Sequence, residues 1–316
     1  MTALLLLAAA YLGWNLGAND SANCIGPAVG SGLISYRRAI LLVILAAAAG
    51  ALLEGGRVIG TVGQGIVSAP LPPVALFIAM LSAGLAVTLP VVLLKLPVST
   101  SQAIVGAMTG IGLAVGLPVH FSLVLDIIAV WVFSPLLALI LSQLIYYFVA
   151  LPLRLLHRVS LWDHLLNYTV IISAGYASYS WGANNIGNAI GPLANLGYHS
   201  DWIILLGVAA VALGAVTYAG GVTETVAGGI TQLDPLSAFA TQTSVALVTH
   251  LFAVVGIPVS LSQLNVGALV GIGLVKGVRA VSRAKVFMIT LGWVLTPTAA
   301  GLLAFVLYKL IGRLIG

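Results

Sequence analysis

Two long motifs each occur twice in this chain, in the same order. The first, GANDSANCIGP at residues 17–27, returns as GANNIGNAIGP at 182–192 with 7 of 11 residues identical. The second, PVSTSQAIVGAMTGIGL at 97–113, returns as PVSLSQLNVGALVGIGL at 258–274 with 12 of 17 identical. We call them the GAN and PVS motifs. Their nearly equal offsets, 165 and 161 residues, indicate that the second half of the chain is a copy of the first.

The composition predicts a membrane protein. Hydrophobic residues make up 61% of the chain and charged residues 6%, with a mean hydropathy of +1.17, whereas soluble domains are about a quarter charged. A chain of 316 residues has room for ten helices of roughly 20 residues each. Its apolar runs are continuous rather than alternating, which favours helices over a closed barrel. We therefore predict an all-α integral membrane protein.

Each half repeats one pattern of five crossings. A helix broken at the GAN motif is followed by two full spans, a short span introduced by the PVS motif, and a final full span. The apolar N-terminus at 1–14 is the first run, and the others lie at residues 39–53, 74–94, 102–116, 121–151, 167–181, 202–219, 235–255, 263–275 and 285–310. We predict a first repeat with its linker at 1–160 and a second at 161–316. Because five is odd, the second copy is expected to lie inverted in the bilayer.

Loop charges provide an independent test of inversion. Arg37 and Arg38 follow the first GAN motif, whereas the matching loop at 198–201 has no lysine or arginine. The bias reverses after the PVS motifs: residues 116–122 contain no lysine or arginine, and the counterpart carries Lys276, Arg279, Arg283 and Lys285. Basic loops are cytoplasmic by the positive-inside rule. We expect a multi-pass plasma-membrane protein with a cytoplasmic linker between the repeats and both termini outside.

Inverted repeats with helices interrupted at corresponding places are typical of secondary transporters, whose substrate sites lie near the membrane midplane. A break inside the bilayer exposes backbone polar groups that an ion or substrate can satisfy. The sequence contains no HExxH or GxSxG motif and no cluster of His and Cys, so we do not expect an enzyme. The net charge of +5 lies in short loops, so we expect no nucleic-acid partner. A passive anion channel is the alternative from another class.

The PVS motifs suit an oxyanion. Proline ends the preceding helix, and the cap and first turn of the next half-helix then hold Ser99, Thr100 and Ser101. Their hydroxyls, the free N–H groups and the helix dipole all direct positive charge at one place. The second copy supplies Ser260 and Ser262, with Leu261 in place of the threonine.

The GAN motifs suit a hard cation such as Na⁺. The first copy offers one carboxylate and two amides, from Asp20, Asn19 and Asn23. The second keeps two of the amides and has a third in place of the carboxylate: Asn184, Asn188 and Asn185. Flanking glycines are expected to let the backbone unwind. Hard oxygens in a small cavity bind hard cations, and we predict a Na⁺ site at Asp20, Asn23 and Asn188.

Two further carboxylates stand beside Gly-Gly pairs near the ends of spans. We give Glu54 and Glu224 either a cation or gating role or an interfacial one, and Glu54 has Arg57 as an alternative partner. His250 has no identical partner in the other repeat, so no role is assigned to it.

The doubled GAN and PVS motifs, with GGRVIGTVGQGI at 55–66 and GGVTETVAGGI at 220–230, resemble the inorganic phosphate transporter (PiT) family over most of the chain. The resemblance implies a symporter for phosphate with Na⁺, or H⁺ as in some bacterial members, and no other cofactor. It implies cation or substrate roles for the GAN asparagines and aspartate named above. It implies phosphate contacts for the PVS hydroxyls, to which we add Gln102 and Gln263.

The chain departs from the family pattern in both motifs. Asn185 replaces the usual second aspartate, and Ser-Gln pairs replace the usual Thr-His. A permease for sulfate or another oxyanion therefore stays an alternative, as does H⁺ coupling. Phosphate keeps an O–H at neutral pH and can use a carboxylate acceptor, whereas sulfate cannot. Asp20 thus favours phosphate. A homodimer is left open.

Overall fold

The computed structural model describes residues 1–94, 98–155, 159–198, 201–228, 233–277 and 283–315. These residues form helices joined by short connections, which confirms the predicted fold class. In chain order the helices are α1 (Thr2–Gly30), α2 (Tyr36–Glu54), α3 (Gly56–Gly60), α4 (Pro73–Leu94), α5 (Thr100–Val115), α6 (Phe121–Leu155), α7 (Val159–Ala194), α8 (Asp201–Gly228), α9 (Pro235–Val255), α10 (Leu261–Lys276) and α11 (Arg283–Ile315). A π-helical turn, Thr61–Gly65, continues α3.

Most helices follow the apolar runs closely, and α9 has the predicted bounds. Six of the described helices are long and apolar enough to cross a membrane: α2, α4, α6, α8, α9 and α11. The two helices that begin in the PVS motifs, α5 and α10, are shorter at 16 residues each. Arg279, one of the basic loop residues used for orientation, and Pro97 of the first PVS motif lie outside the described residues.

The break expected at the GAN motif is wrong, because α1 and α7 run through both copies without interruption. The glycines serve close packing instead. A Cβ on Gly17 would lie closer than 3.0 Å to the carbonyl oxygen of Val211 in α8, and one on Gly182 would meet Ala47 of α2 in the same way. Small residues let membrane helices approach backbone to backbone. The helix can therefore stay intact and present its polar side chains on one face.

The predicted interruptions are found at the PVS motifs. Ser99 has an extended backbone and caps α5, since its Oγ accepts the N–H of Gln102 at 3.2 Å. Ser260 caps α10 by accepting the N–H of Gln263 at 3.4 Å. Such side-chain caps satisfy one of the free N–H groups at a helix start. The prediction of half-helices that start inside the protein is confirmed.

The two repeats are inverted, as predicted. Helices α1 and α7 are equivalent, and they cross with opposite chain directions. Asp20 of α1 lies beside Trp181 of α7, while Cys24, one turn further along α1, lies 4.0 Å from the carbonyl oxygen of the earlier residue Ala177. Residue numbers rise along one helix as they fall along the other, so the equivalent helices point in opposite directions.

The repeats also interlock. Helix α1 packs against α8 and α7 against α2, while α5 packs against α11 and α10 against α6. The last two contacts are matched: a Cβ on Gly106 would strike the backbone of Pro297, and one on Gly267 would strike that of Pro135. Each half thus buries its helices against the other half, and the PVS tips are brought to the middle of the molecule.

Candidate substrate and cation site

An asparagine of the first GAN motif holds the first PVS tip. The Nδ2 of Asn19 donates to the carbonyl oxygen of Val98 at 2.7 Å, and the N–H of Val98 donates to Oδ1 of the same side chain at 3.1 Å. Both hydrogen-bonding groups of one tip residue are therefore satisfied by one amide. This contact fixes the tip against the middle of α1.

The second repeat uses the same contact. The N–H of Val259 donates to Oδ1 of Asn184 at 2.9 Å, and Nδ2 of Asn184 donates to the carbonyl oxygen of Ile257 at 3.0 Å. Asn19 and Asn184 thus position the tips, and their amide groups are already engaged with backbone. The ligand roles expected for these two residues stay predictions.

Asp20 links the first GAN motif to the first half-helix. Its Oδ1 accepts from Asn19 at 2.6 Å, and its Oδ2 accepts the hydroxyl of Thr100 at 2.5 Å. The side chain is 1% exposed, and no lysine or arginine is buried in the part of the chain that the structure describes. The Trp181 indole lies close by, although its N–H makes no hydrogen bond of ordinary geometry. The buried carboxylate is held by neutral donors.

The second repeat lacks this link. Asn185 occupies the place of the carboxylate and donates to Asn184 at 3.3 Å, and it accepts from Asn188 at 3.0 Å. Leu261 stands where the first repeat has its threonine and offers no hydroxyl. The two halves of the site have the same framework but different charge.

Three amide atoms near the carboxylate are buried without a hydrogen-bond partner. They are both side-chain atoms of Asn23 and the Oδ1 of Asn188. Unpartnered buried polar groups are rare because each costs about 1–3 kcal/mol. Asn23 lies one turn beyond Asp20 on the same helix face. Carboxylate and amide oxygens are the ligands that hard cations prefer, so these residues fit the predicted Na⁺ site.

A small cavity beside this site is lined by residues of both repeats. Its volume is about 10 Å³, near the space that one water molecule needs. Its lining consists of Leu12, Asn15, Leu16, Val87, Thr100 and Asn188. The sequence analysis missed Asn15, which is buried and accepts the hydroxyl of Thr88 at 2.7 Å. Asn15 precedes Asn19 by one helical turn, so its spacing places it on the same helix face as the GAN asparagine and could have predicted it as a site residue.

The hydroxyl groups of the PVS tips gather where α5 and α10 begin. The Oγ atoms of Ser99 and Ser101 are 3.3 Å apart, and those of Ser260 and Ser262 are 3.1 Å apart. Ser101 also donates to the carbonyl oxygen of Val259 at 3.0 Å, so the two tips touch. Two helix N-termini with hydroxyl caps converge at this point, which favours an anion.

The glutamines that follow the serines lie at a different surface. Gln102 and Gln263 line a mainly apolar cavity of about 890 Å³ between α5, α6, α10 and α11. The Oε1 atom of each is buried without a partner. Their expected phosphate contacts stay predictions.

Glu54 belongs to a separate polar cluster, which we call the Glu54 cluster. Its Oε1 accepts the hydroxyl of Tyr179 at 2.8 Å, and its Oε2 lies 2.8 Å from Nε2 of His250. The Nδ1 of His250 lies 2.8 Å from the hydroxyl of Tyr176. The alternative pair with Arg57 is not formed, since that side chain donates to a backbone carbonyl.

The sequence did not predict a role for three members of this cluster: His250, Tyr176 and Tyr179. Site residues were predicted from their recurrence in both repeats, and the histidine has no identical counterpart in the other repeat. Glu224 is exposed on α8 and does not join the cluster.

The fold and the site define the class of protein: a membrane transporter built from two inverted repeats, with half-helix tips at the centre. The family model for the phosphate transporter family matches the chain twice, over residues 16–162 and 157–304. The chain therefore belongs to the phosphate transporter family.

Relatives agree with this assignment. A protein of Pyrococcus horikoshii, provisionally named a phosphate permease, is 27% identical over 95% of this chain and 95% of its own length. One of Methanocaldococcus jannaschii with the same provisional name is 28% identical over 97% and 96%. A solved structure called the sodium-dependent phosphate transporter matches 99% of this chain and 100% of that one, with a TM-score of 0.87 and 24% identity. At that identity the structure supports the fold.

Proposed function

We propose that the protein is a symporter that takes up inorganic phosphate together with Na⁺ by alternating access. The hydrogen bond from Thr100 to Asp20 carries the proposal. It joins the carboxylate expected to bind the cation to the first residue of the half-helix expected to bind the anion. Occupation of one site therefore changes the groups available to the other. Membership of the phosphate transporter family and the sodium-dependent structural relative support this function.

The cation is assigned to the oxygens of Asp20, Asn23 and Asn188. The Oδ1 atoms of Asn23 and Asn188 are buried without partners, and a bound cation would satisfy them. The phosphate is assigned to the hydroxyls and free N–H groups of the two tips. Because no buried lysine or arginine is present in the described residues, the anion is held by neutral donors and by the cation. Loss of the cation then releases the anion.

Phosphate fits this site better than sulfate. At neutral pH phosphate carries at least one O–H, which needs an acceptor. The Oδ2 of Asp20, which faces Thr100 at the first half-helix, is such an acceptor, while the unpartnered amide oxygens are assigned to the cation. A site that pairs with a substrate hydroxyl rejects an analogue without one by as much as about 10⁴-fold. A sulfate permease would contain donors only.

Coupling to cations would drive uptake into an inside-negative cell. Each positive charge that moves inward gains about 2.3 kcal/mol per 100 mV. Uptake with more cation charge than anion charge is therefore electrogenic. H⁺ coupling is the alternative, and it would use the same carboxylate. The proposal places the linker between the repeats in the cytoplasm and both termini outside the plasma membrane, and it does not require the homodimer that the sequence leaves open.

Uptake by purified protein in proteoliposomes tests the function. We expect radiolabelled phosphate to enter when an inward Na⁺ gradient is imposed without a pH gradient, with inward positive current and little competition from excess sulfate. Uptake driven by a pH gradient alone would assign H⁺ as the coupling ion. Flux that follows phosphate down its own gradient and ignores both cation gradients would identify a passive channel and overturn the proposal.

A further inference from the structure

Two matched hydrogen bonds tie the helices before the PVS tips to the helices that carry the GAN motifs. In the first repeat the hydroxyl of Tyr11 in α1 lies 2.5 Å from that of Thr88 in α4. In the second repeat the hydroxyl of Tyr176 in α7 lies 2.8 Å from Nδ1 of His250 in α9. The tyrosines are 165 residues apart and their partners 162, close to the offsets of 165 and 161 between the duplicated motifs. The ties are equivalent in position.

Their chemistry differs. In the first repeat the hydrogen bonds lead from Tyr11 through Thr88 to a neutral amide, because Thr88 donates to Asn15. The second continues to a carboxylate, since Nε2 of His250 reaches Glu54 of α2, which also accepts from Tyr179. The second tie therefore joins three helices, and α2 belongs to the first repeat while α7 and α9 belong to the second. One of two equivalent contacts has become titratable.

The Glu54 cluster is partly exposed at the end of α2 and distinct from the predicted cation site. The side chains of His250 and Glu54 are 27% and 36% exposed. Tyr179 precedes Asn184 by five residues of α7, or about 7 Å along a helix, so the cluster lies near the second GAN motif without sharing its residues. Ionisable groups within membrane-spanning helices are functional by default.

Protonation changes the strength of this contact. Neutral His250 can donate from Nε2 to Glu54 while its Nδ1 accepts the hydroxyl of Tyr176. With a second proton both ring nitrogens donate, and the contact with the carboxylate becomes an ion pair. The bond to an ionised carboxylate is charge-assisted in either state, and protonation of the ring adds the attraction between opposite charges. Histidine is the side chain that changes charge between about pH 5 and pH 8.

Another charged group among the described residues contacts α9 near its C-terminal end. Arg57 of α3 donates to the carbonyl oxygen of Val254 in α9, and so adds a second contact between the first repeat and α9. The remaining titratable groups against the pair are the two tyrosines, whose ring centres lie 5.7 Å (Tyr176) and 5.9 Å (Tyr179) from that of His250. Their rings hold the imidazole in place edge-on.

We propose that the Glu54 cluster is a proton-operated latch, in which a protonated His250 holds α9 to α2 and α7 and slows the transport cycle. The proposal rests on the proposed function, because alternating access requires the repeats to move relative to one another. Glu54 and His250 lie on helices of different repeats, so their contact loosens when α2 and α9 separate during that movement. At lower pH the latch is tighter, and transport is slower.

Uptake measured at equal pH on both sides of proteoliposomes tests the latch. The same Na⁺ gradient is used at about pH 5.5 and pH 7.5, and the ratio of the two rates is compared between wild type, His250→Gln and Thr88→Val. Phosphate's own protonation affects all three proteins alike, so the differences report the protein. An ion pair of this exposure is worth up to about fivefold in an equilibrium. We expect His250→Gln to reduce the acid slowing by about two- to fivefold, and Thr88→Val to retain it.

A stability measurement that does not involve phosphate tests the latch independently of the proposed transport function. Thermal unfolding of wild type, Glu54→Gln, His250→Gln and the double variant gives the coupling between the two side chains at each pH. We expect coupling that is larger at about pH 5.5 than at pH 7.5, within the range in which histidine titrates. Equal acid slowing in wild type and His250→Gln, or equal coupling at both pH values, would overturn the latch. Absence of any phosphate uptake with pH-dependent coupling would overturn the proposed function and leave the latch standing.

Discussion

Single residues make the two repeats unequal at the site. Asp20 and Thr100 in the first repeat correspond to Asn185 and Leu261 in the second, so one half carries a carboxylate bonded to a hydroxyl and the other carries neither. The rest of the framework, with an asparagine on each tip and a serine cap on each half-helix, is shared. A substitution at a site residue of the first repeat can therefore be compared with the same substitution at the equivalent position of the second.

Removal of the Thr100 hydroxyl tests whether this group stabilises the Asp20 carboxylate when no cation is bound. Thr100→Val leaves one carboxylate oxygen buried without a donor, and hydrogen bonds to charged groups are worth about 1.5–3 kcal/mol. We expect the melting temperature to fall when choline replaces Na⁺, and Na⁺ to restore it more than in wild type. Leu261→Val, at the equivalent position, should change stability little. Equal loss with and without Na⁺ would show that the hydroxyl does not act through the cation site.

The helices are arranged by their small residues as much as by their apolar ones. In α1 and α7 the GAN glycines allow backbone contact with a helix of the other repeat. In α5 and α10 the serine caps allow a helix to start inside the protein. Together these two devices place polar side chains at the centre without breaking the helices that carry them.

Packing at the first of these glycines has a sharp test. Gly17→Ala places a Cβ against the backbone of α8, and overpacking of this kind costs about 1–3 kcal/mol or more. Gly60→Ala is the matched control, since nothing lies within 4 Å of a Cβ there. We expect a lower melting temperature for the first variant and an unchanged or higher one for the second. A Gly17→Ala protein as stable as wild type would contradict the packing of α1 on α8.

A pH-dependent ion pair joins the start of α9 to the end of α10. Asp234 caps α9 just outside its membrane span and lies 2.5 Å from Lys276 at the end of α10. Partial burial raises the pKa of Asp234, but the bonds from Lys276 and from the N–H of Ser237 outweigh it and leave the pKa below the ordinary value. A lowered pKa adds stability above the ordinary value of about 3.9, which is lost as pH falls through the folded value.

Asp234→Asn should therefore flatten the acid side of the stability profile. Asparagine is also a good helix cap, so the variant removes the charge and keeps the cap. We expect wild type to lose melting temperature more steeply than the variant when pH falls below about 5. The pair is half exposed, so the effect is within about 1 kcal/mol. Parallel profiles for the two proteins would exclude a contribution from this carboxylate.

The sequence predicts elements better than it predicts contacts. Continuous apolar runs gave most helix bounds because a membrane span must be apolar throughout. The GAN motif was misread, since glycine within a helix serves either unwinding or close packing and the partner helix decides which. That partner is α8, far away in the chain, and no local pattern reveals it.

The site shows the same limit. Asn23 and the PVS serines could be found because they recur in both repeats. Asp20 could be found because it is an ionisable residue within an apolar span. His250 could not, because its role depends on Glu54 in another helix and on the absence of a counterpart. A residue such as His250, whose partner lies in a distant helix and which has no identical counterpart, is recognised only in the structure.

The whole molecule is two inverted copies whose tips meet at the centre. Each tip is held by the GAN motif of its own repeat, and Ser101 of one tip donates to the backbone of the other. The helices of one copy pack mainly against those of the other. A single site shared between opposed halves is the arrangement that can face either side of a membrane in turn.

Chemical labelling can establish the orientation of the two copies. The native Cys24 is buried and should not react, so cysteines introduced at Ser35 and Tyr198 would report the loops after α1 and α7. We expect a membrane-impermeant maleimide applied outside cells to label Tyr198→Cys and to label Ser35→Cys only after the membrane is opened. Labelling of both from one side would contradict inversion, and labelling with the sides exchanged would correct the predicted topology.

Phosphate binding with and without Na⁺ tests the central claim, that the two ions share one site and stabilise each other there. Calorimetry on the purified protein at constant pH would compare Na⁺ with choline for wild type, Asp20→Asn and the exposed control Asp126→Asn. Coupling between two ligands is typically worth about 1–3 kcal/mol, or 5- to 150-fold in affinity. We predict tighter phosphate binding in Na⁺ for wild type and Asp126→Asn, and no such gain for Asp20→Asn. Equal phosphate affinity of the wild type in Na⁺ and in choline would contradict the account.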